Sequence, residues 1–265
     1  MASLGDVLAR AKAEGRGTML AYLMAGSVDD SRLLAAVDAL RDAGVSGLEL
    51  GFPFSDPMAE GPVIQRAAAD ALDRGTHWTN LFSLMRQISP HLPCAVMTYL
   101  NPVLQRGVGQ ALRSIRDAGG SALILPDLPV EEVGPFRALR RSAGVDTVLL
   151  ASPATSGDRM RRLSEASEGF LYVVSRYGVT GASPGASPGA ASAPLSGLLD
   201  QASRWRPGLP RMVGFGISRP ADVRRMRAAG ADGIIVGSAF QELLSGGAAV
   251  RKIGRLGESL VAALE

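Results

Sequence analysis

Short apolar runs alternate with stretches of helical periodicity from one end of this 265-residue chain to the other, and few folds accommodate that rhythm. The strand-like runs fall at residues 18–23, 45–50, 94–99, 121–125, 146–150, 170–175, 211–215 and 233–236. Helices are predicted at 6–13, at 29–43 with Leu33, Leu34, Val37 and Leu40 on one side, at 63–73, and from Thr79 as N-cap to just before Pro90. Further helices are predicted at 108–118, at 131–143 with Glu131 and Glu132 on the N-terminal dipole, at 194–205, at 220–229, and after the last strand to Glu265. Eight strands each followed by helix predict an α/β protein, a (β/α)8 TIM barrel in which residues 1–265 form a single domain. A doubly wound open sheet is the alternative, because periodicity does not show closure.

Composition narrows the classes of function. With 46% hydrophobic and 20% charged residues the chain can bury a large core. The first residues lack the basic start and apolar run of a signal peptide, and no window approaches the roughly 18 apolar residues of a membrane span, so a soluble, cytoplasmic protein is expected. The formal charge of +3 is spread over helix faces, nearly all of it as arginine, without a basic tract or clustered aromatics, which argues against nucleic acid as a partner. The single Cys94 lies in an apolar run and reads as a core thiol rather than a nucleophile.

The run from Val45 to Leu50 ends on a carboxylate and leads into an unusually long Pro/Gly-rich connection, Gly51-Phe52-Pro53-Phe54-Ser55-Asp56-Pro57-Met58-Ala59-Glu60-Gly61-Pro62. Strand alternation puts Val45, Gly47 and Glu49 on one face and Ser46, Leu48 and Leu50 on the other. Glu49 therefore stands at the carboxyl end of a strand whose other face is apolar, where α/β enzymes place their chemistry. A lone Glu at a strand end is more often merely solvated; the length of the connection favours function, since βα loops usually run two to about six residues.

Two glycine groups mark later strand ends: Gly214-Phe215-Gly216-Ile217-Ser218 and Gly237-Ser238-Ala239. Glycine lets backbone approach an oxyanion, and a helix opening at Ser238 aims N–H groups at it, so a phosphate site at Gly216, Gly237 and Ser238 is predicted. Tyr22 and Phe215 are candidate walls of an aromatic pocket, though core packing explains them nearly as well. Lys12 and Lys252, the only lysines, fall in the first and last helices, which disfavours Schiff-base chemistry. His77 and His91 have no ligand spacing, so no metal is expected, and no nucleotide-binding fingerprint follows the first strand, so no cofactor is expected.

The stretch from Leu48 to Pro62 resembles the signature of the tryptophan synthase alpha chain family, L-E-L-G-x-P-F-S-D-P-x-A-D-G-P, with one departure: Glu60 stands where the family has Asp. The resemblance implies retro-aldol cleavage of indole-3-glycerol phosphate to indole and glyceraldehyde 3-phosphate, with Glu49 as principal acid–base and Glu60 at the indole nitrogen. Tyr172 is similar to a family tyrosine near the catalytic carboxylate, with a core aromatic as its alternative reading. Gly181 resembles part of the phosphate site, and Thr180 a lid residue beside the second acid. Tyr99 with Asn101-Pro102, and Pro126-Asp127-Leu128-Pro129, echo family motifs and are assigned to loop geometry before catalysis.

The resemblance also implies a partner, a pyridoxal-phosphate beta subunit that consumes the indole, approached through the loop carrying Asp56 and Pro57. Residues 180–194, rich in Ser-Pro-Gly-Ala, read as a flexible linker or, at this end of a barrel, as a mobile lid. Two other functions fit the departures from the pattern. One is a stand-alone indole-3-glycerol-phosphate lyase, suggested by Glu60, the repetitive loop and Ala25-Gly26-Ser27-Val28 after the first strand. The other is a weakly catalytic regulatory subunit, suggested by Glu60.

Overall fold

The computed structural model describes residues 2–175 and 192–265. In chain order the elements are α1 (Leu4–Ala13), β1 (Thr18–Met24), α2 (Asp30–Asp42), β2 (Gly47–Gly51), α3 (Pro62–Asp73), α4 (Trp78–Ile88), β3 (Cys94–Met97), α5 (Leu100–Arg106), α6 (Val108–Asp117) and β4 (Gly120–Ile124). They continue with α7 (Gly134–Ala143), β5 (Asp146–Ala151), α8 (Gly157–Ala166), β6 (Leu171–Val174), α9 (Ser192–Trp205), β7 (Arg211–Gly214), α10 (Pro220–Ala228), β8 (Gly233–Val236), α11 (Ser238–Ser245) and α12 (Val250–Val261). The strands form a closed parallel barrel in sequential order. Closure comes from β1 pairing with both β2 and β8, with Leu20 opposite Gly47 and Thr18 opposite Gly233. The open-sheet alternative is thereby excluded.

Period-two alternation sorts the strand residues into two cores. Met19, Ala21, Leu23, Leu48 and Leu50 face outward and pack beneath the helices. Leu20, Tyr22, Met24, Ala95, Met97, Tyr172, Met212 and Ile235 face inward, joined by Leu4 and Leu8 of α1, which plugs the amino-terminal end of the barrel. With side chains filling that end, the interior formed by the described residues opens at the carboxyl end.

Several boundaries differ from the expected ones. The helix after β2 that was expected to be capped by Thr79 begins at Trp78 with His77 as its N-cap, because the Asn80 side chain accepts from the His77 backbone N–H at 2.9 Å. Glu131 and Glu132 lie in a separate 3-10 turn, Val130–Glu132, ahead of α7; Glu131 pairs with Arg159 and Arg162 at 3.0 and 2.8 Å instead of with a helix end. α5 and α8 were not anticipated. α5 is short and carries Pro102 in its first turn, where a proline is tolerated. Half of the residues of α8 are charged, and its apolar side is reduced to Met160, Leu163 and Ala166. α9 starts at Ser192, so the last residues assigned to the 180–194 loop are helical and the rest, with Thr180 and Gly181, lie outside the described residues.

Candidate active site

A cavity partly open to solvent lies at the carboxyl end of the barrel, bounded by Tyr22, Glu49, Glu60, Ile64, Met97, Tyr172, Phe215, Gly216, Ile217, Ile235, Gly237 and Ser238. A small inward residue leaves room beside the acid: Ala95 is the β3 neighbour of Glu49. Of the residues predicted from sequence, Glu49, Glu60, Tyr172, Tyr22, Phe215, Gly216, Gly237 and Ser238 all meet here. Ile64, Met97, Ile217 and Ile235 were not predicted. For Met97 the signal was available, since it shares inward parity with Ala95.

Glu49 is fully buried, and neither carboxyl oxygen has a hydrogen-bond partner. Desolvation penalises its charged form and pushes its pKa from 4.5 to about 8. A carboxyl group so placed is neutral or ionised according to small changes around neutrality, which suits one group to give and take a proton.

Glu60 ends the long loop and is also buried, but it is engaged. The Tyr99 hydroxyl donates to Glu60 Oε2 and accepts from the backbone N–H groups of Met58 and Ala59, both at 2.8 Å. Gln65 Nε2 holds the Glu60 carbonyl at 2.9 Å. Burial raises the Glu60 pKa and outweighs the lowering by Tyr99; Asp127 adds to the rise. Tyr99, assigned from sequence to loop geometry, therefore does two things: it pins the loop and it orients the second acid. Its separation of 39 residues from Glu60 hid the contact. Asp127 keeps the structural role expected of it, accepting from the N–H of Leu100 at 2.9 and 3.1 Å.

The base of the same loop is stacked. Phe52 lies on Trp78 with ring centroids 4.0 Å apart, Trp78 on Phe82 at 5.6 Å, and the Arg106 guanidinium covers both rings. Further out, Asp56 is exposed and Pro57 half-exposed, while Met58 is 71% exposed beside them.

Two tyrosines face Glu49 from other strands, and glycines decide how they lie. A Cβ on Gly51 would come within 2.3 Å of the Tyr22 hydroxyl, and one on Gly214 within 2.2 Å of the Tyr172 hydroxyl. Each ring thus leans over the next strand, two residues beyond its register partner. Burial, with Glu49 and Glu60 nearby, holds both phenols protonated.

Next to Tyr172, whose ring meets it edge-on at 6.0 Å, Phe215 is the one non-glycine residue with positive φ among the described residues, 79°, followed by Gly216 at 72°. Such a conformation costs on the order of 1–3 kcal/mol. The Ser175 hydroxyl holds this turn by donating to the Phe215 carbonyl at 2.8 Å. Beside it Gly237 caps α11, whose first N–H groups open toward the cavity at Ser238. A fully buried Gln241 fixes that helix to β1: its Oε1 accepts from Met24 N–H at 2.9 Å, and its Nε2 donates to Ser27 and Ser245 at 3.0 and 2.8 Å. The site therefore brings two acids, two phenols and a glycine-rich turn beside a helix N-terminus to one end of the barrel, an arrangement that could hold an anion next to acid–base groups.

Residues 8–254 match the family model described as tryptophan synthase alpha chain. The chain is 40% identical over 243 residues to the tryptophan synthase alpha chain of Arabidopsis thaliana, covering 91% of this chain and 86% of that one. It is 39% identical over 242 residues to that of Methanosarcina acetivorans, with 91% and 86% covered. Among solved structures it superposes on Mycobacterium tuberculosis tryptophan synthase with a TM-score of 0.89 at 33% identity, covering 100% of this chain and 99% of the other. A tryptophan synthase complex from Pyrococcus furiosus gives a TM-score of 0.81 at 30% identity, with 93% and 98% covered.

Proposed function

The chain belongs to the tryptophan synthase alpha chain family, a family of lyases, and from that premise we propose how its site works: it cleaves indole-3-glycerol phosphate to indole and glyceraldehyde 3-phosphate, as the subunit that works with a beta subunit. The observation that carries this reading is Glu49, a buried carboxyl group without partners in a cavity that also holds a second acid and a glycine-lined cradle.

The chemistry divides among the residues as follows. The phosphate is taken by the turn at Phe215-Gly216 and the α11 N-terminus at Gly237-Ser238, where backbone N–H groups meet its charge. The ring lies among Ile64, Met97, Ile235 and the aromatic walls. Neutral Glu49 protonates indole C3; the resulting carboxylate takes the proton of the hydroxyl on the carbon attached to the ring, and the C–C bond breaks to release indole and the aldehyde. Glu60, held by Tyr99, faces the ring N–H and offsets the positive charge that appears there when C3 is protonated. Tyr172 stands beside both acids in the same cavity. The loop from Phe52 to Gly61, with Asp56, Pro57 and the exposed Met58, presents the surface toward the beta subunit.

The test is an assay of indole release by the purified chain, alone and with a beta subunit. Glu49→Gln is expected to lose at least 10²-fold in turnover while still binding substrate, because the amide keeps the shape but exchanges no proton. Retention of more than about a tenth of the rate removes Glu49 from the mechanism.

A further inference from the structure

A carboxyl group that ionises during turnover in an apolar cavity needs a donor to meet its charge. The groups facing Glu49 can be named element by element. β3 offers Ala95, α3 Ile64 and β8 Ile235, none with a polar side-chain atom. The loop after β2 offers Glu60, an acid whose donor, Tyr99, is already committed to it, with Asp127 acting on Glu60 from behind. Ser238 at the start of α11 belongs to the proposed phosphate cradle, which leaves the hydroxyls of Tyr22 on β1 and Tyr172 on β6.

The two are not equivalent. Tyr172 pairs in register with Met212, and its hydroxyl lies against Gly214 of β7, a strand that is not a neighbour of β2. Tyr22 pairs in register with Glu49 itself on the adjacent strand, and both side chains point inward. Adjacent strands lie only about 4.8 Å apart, well within the reach of a glutamate side chain. The Tyr22 hydroxyl rests against Gly51, two residues further along β2 than Glu49, and its one partner among the described residues is the Met24 thioether at 3.9 Å. A thioether is a weak acceptor, and a carboxylate displaces it readily.

From this geometry we propose that Tyr22, beyond forming a pocket wall, is a positioning residue whose O–H turns from the Met24 sulfur to the Glu49 carboxylate when that acid gives up its proton. The inference rests on the acid–base reading of Glu49. It also gives Gly51 a reason to lack a side chain, since a Cβ there would drive the phenol from its place.

The experiment is a pH titration of the Glu49 carboxyl by infrared difference spectroscopy on the whole chain, its band identified by loss in Glu49→Gln. Removing one hydrogen bond to the charged form, in Tyr22→Phe, is expected to move the midpoint upward by about one pH unit. Incorporating 3-fluorotyrosine at position 22, a more acidic donor of nearly the same shape, is expected to move it downward. The two opposed shifts keep the test decisive if Tyr22→Phe folds poorly. Midpoints unchanged in both proteins, or a shift in Tyr172→Phe alone, overturn the proposal. The titration does not depend on turnover, so the two readings fail separately. A chain that shows the opposed shifts but releases no indole refutes the function and retains the Tyr22–Glu49 coupling. A chain that releases indole with an unmoved midpoint in both position-22 proteins refutes the role of Tyr22 alone.

Discussion

At Glu49 the requirements of chemistry and of stability oppose each other. Between its ordinary pKa of 4.5 and its folded value of about 8 the native chain holds a proton that the unfolded chain has released. Stability from the neutral carboxyl is thus fully present below about pH 4.5 and is lost as pH rises through about 8. Glu49→Gln removes that loss: by urea denaturation it should match the parent chain at pH 4.5 and exceed it at pH 9 by up to a few kcal/mol. Equal slopes of stability against pH in the two chains would mean that Glu49 ionises in the folded state without cost. At Glu60 the longer acid is accommodated by Tyr99. Retracting the carboxylate by one methylene in Glu60→Asp breaks that contact, so no gain in turnover is expected, while Glu60→Ala should cost on the order of 10²-fold. A large gain in Glu60→Asp, measured without any beta subunit, would instead mark the site as impaired and revive the regulatory reading. The position of Glu49 was legible because strand parity is local. Its neutrality was not, since that depends on what six other elements bring to the same cavity, and the Tyr99–Glu60 contact was hidden for the same reason.

Elements that announce themselves by an apolar stripe were found, and those held by charge or by one cap were not. α8 escaped because Arg159, Arg161, Arg162 and Glu165 dominate its ten residues. The start of α4 was misplaced because Asn80, a poor helix former, acts there by reaching back to His77. α11 shows what an element needs beyond its pattern: its N-terminus is useful only if held against β1. Gln241 supplies that hold from a fully buried position. Gln241→Leu leaves the Met24 N–H without its acceptor and should cost about 1–3 kcal/mol in denaturant unfolding. A loss below a few tenths of a kcal/mol would show that packing alone seats the helix.

The molecule as a whole separates stability from chemistry along the barrel axis. At the amino-terminal end, opposite the cavity, Asp232 just before β8 accepts from Arg211 at 2.7 and 3.0 Å and from Lys12 at 3.0 Å, joining β7, β8 and α1 at one carboxylate. Burial pushes the Asp232 pKa up, and the Arg211 and Lys12 hydrogen bonds outweigh it and hold the group ionised. Asp232→Ala leaves two cations facing a gap and should destabilise the fold by about 3 kcal/mol with KM unchanged. A raised KM with unchanged stability would contradict this division. Sequence periodicity supplied the eight strands, but the β1–β8 seam that closes the barrel is a contact between residues more than two hundred positions apart, and no local pattern encodes it.

The stack of Phe52 on Trp78 has an optical consequence. Indole emission responds to what lies against the ring, and one face of Trp78 is occupied by the first aromatic residue of the loop that bears Glu60. The chain has two tryptophans, and the other, Trp205, lies on α9 and is 49% exposed. With Trp205 replaced by phenylalanine, the remaining fluorophore reports on the base of the acid-bearing loop, so its movements can be timed in stopped flow without attaching a dye.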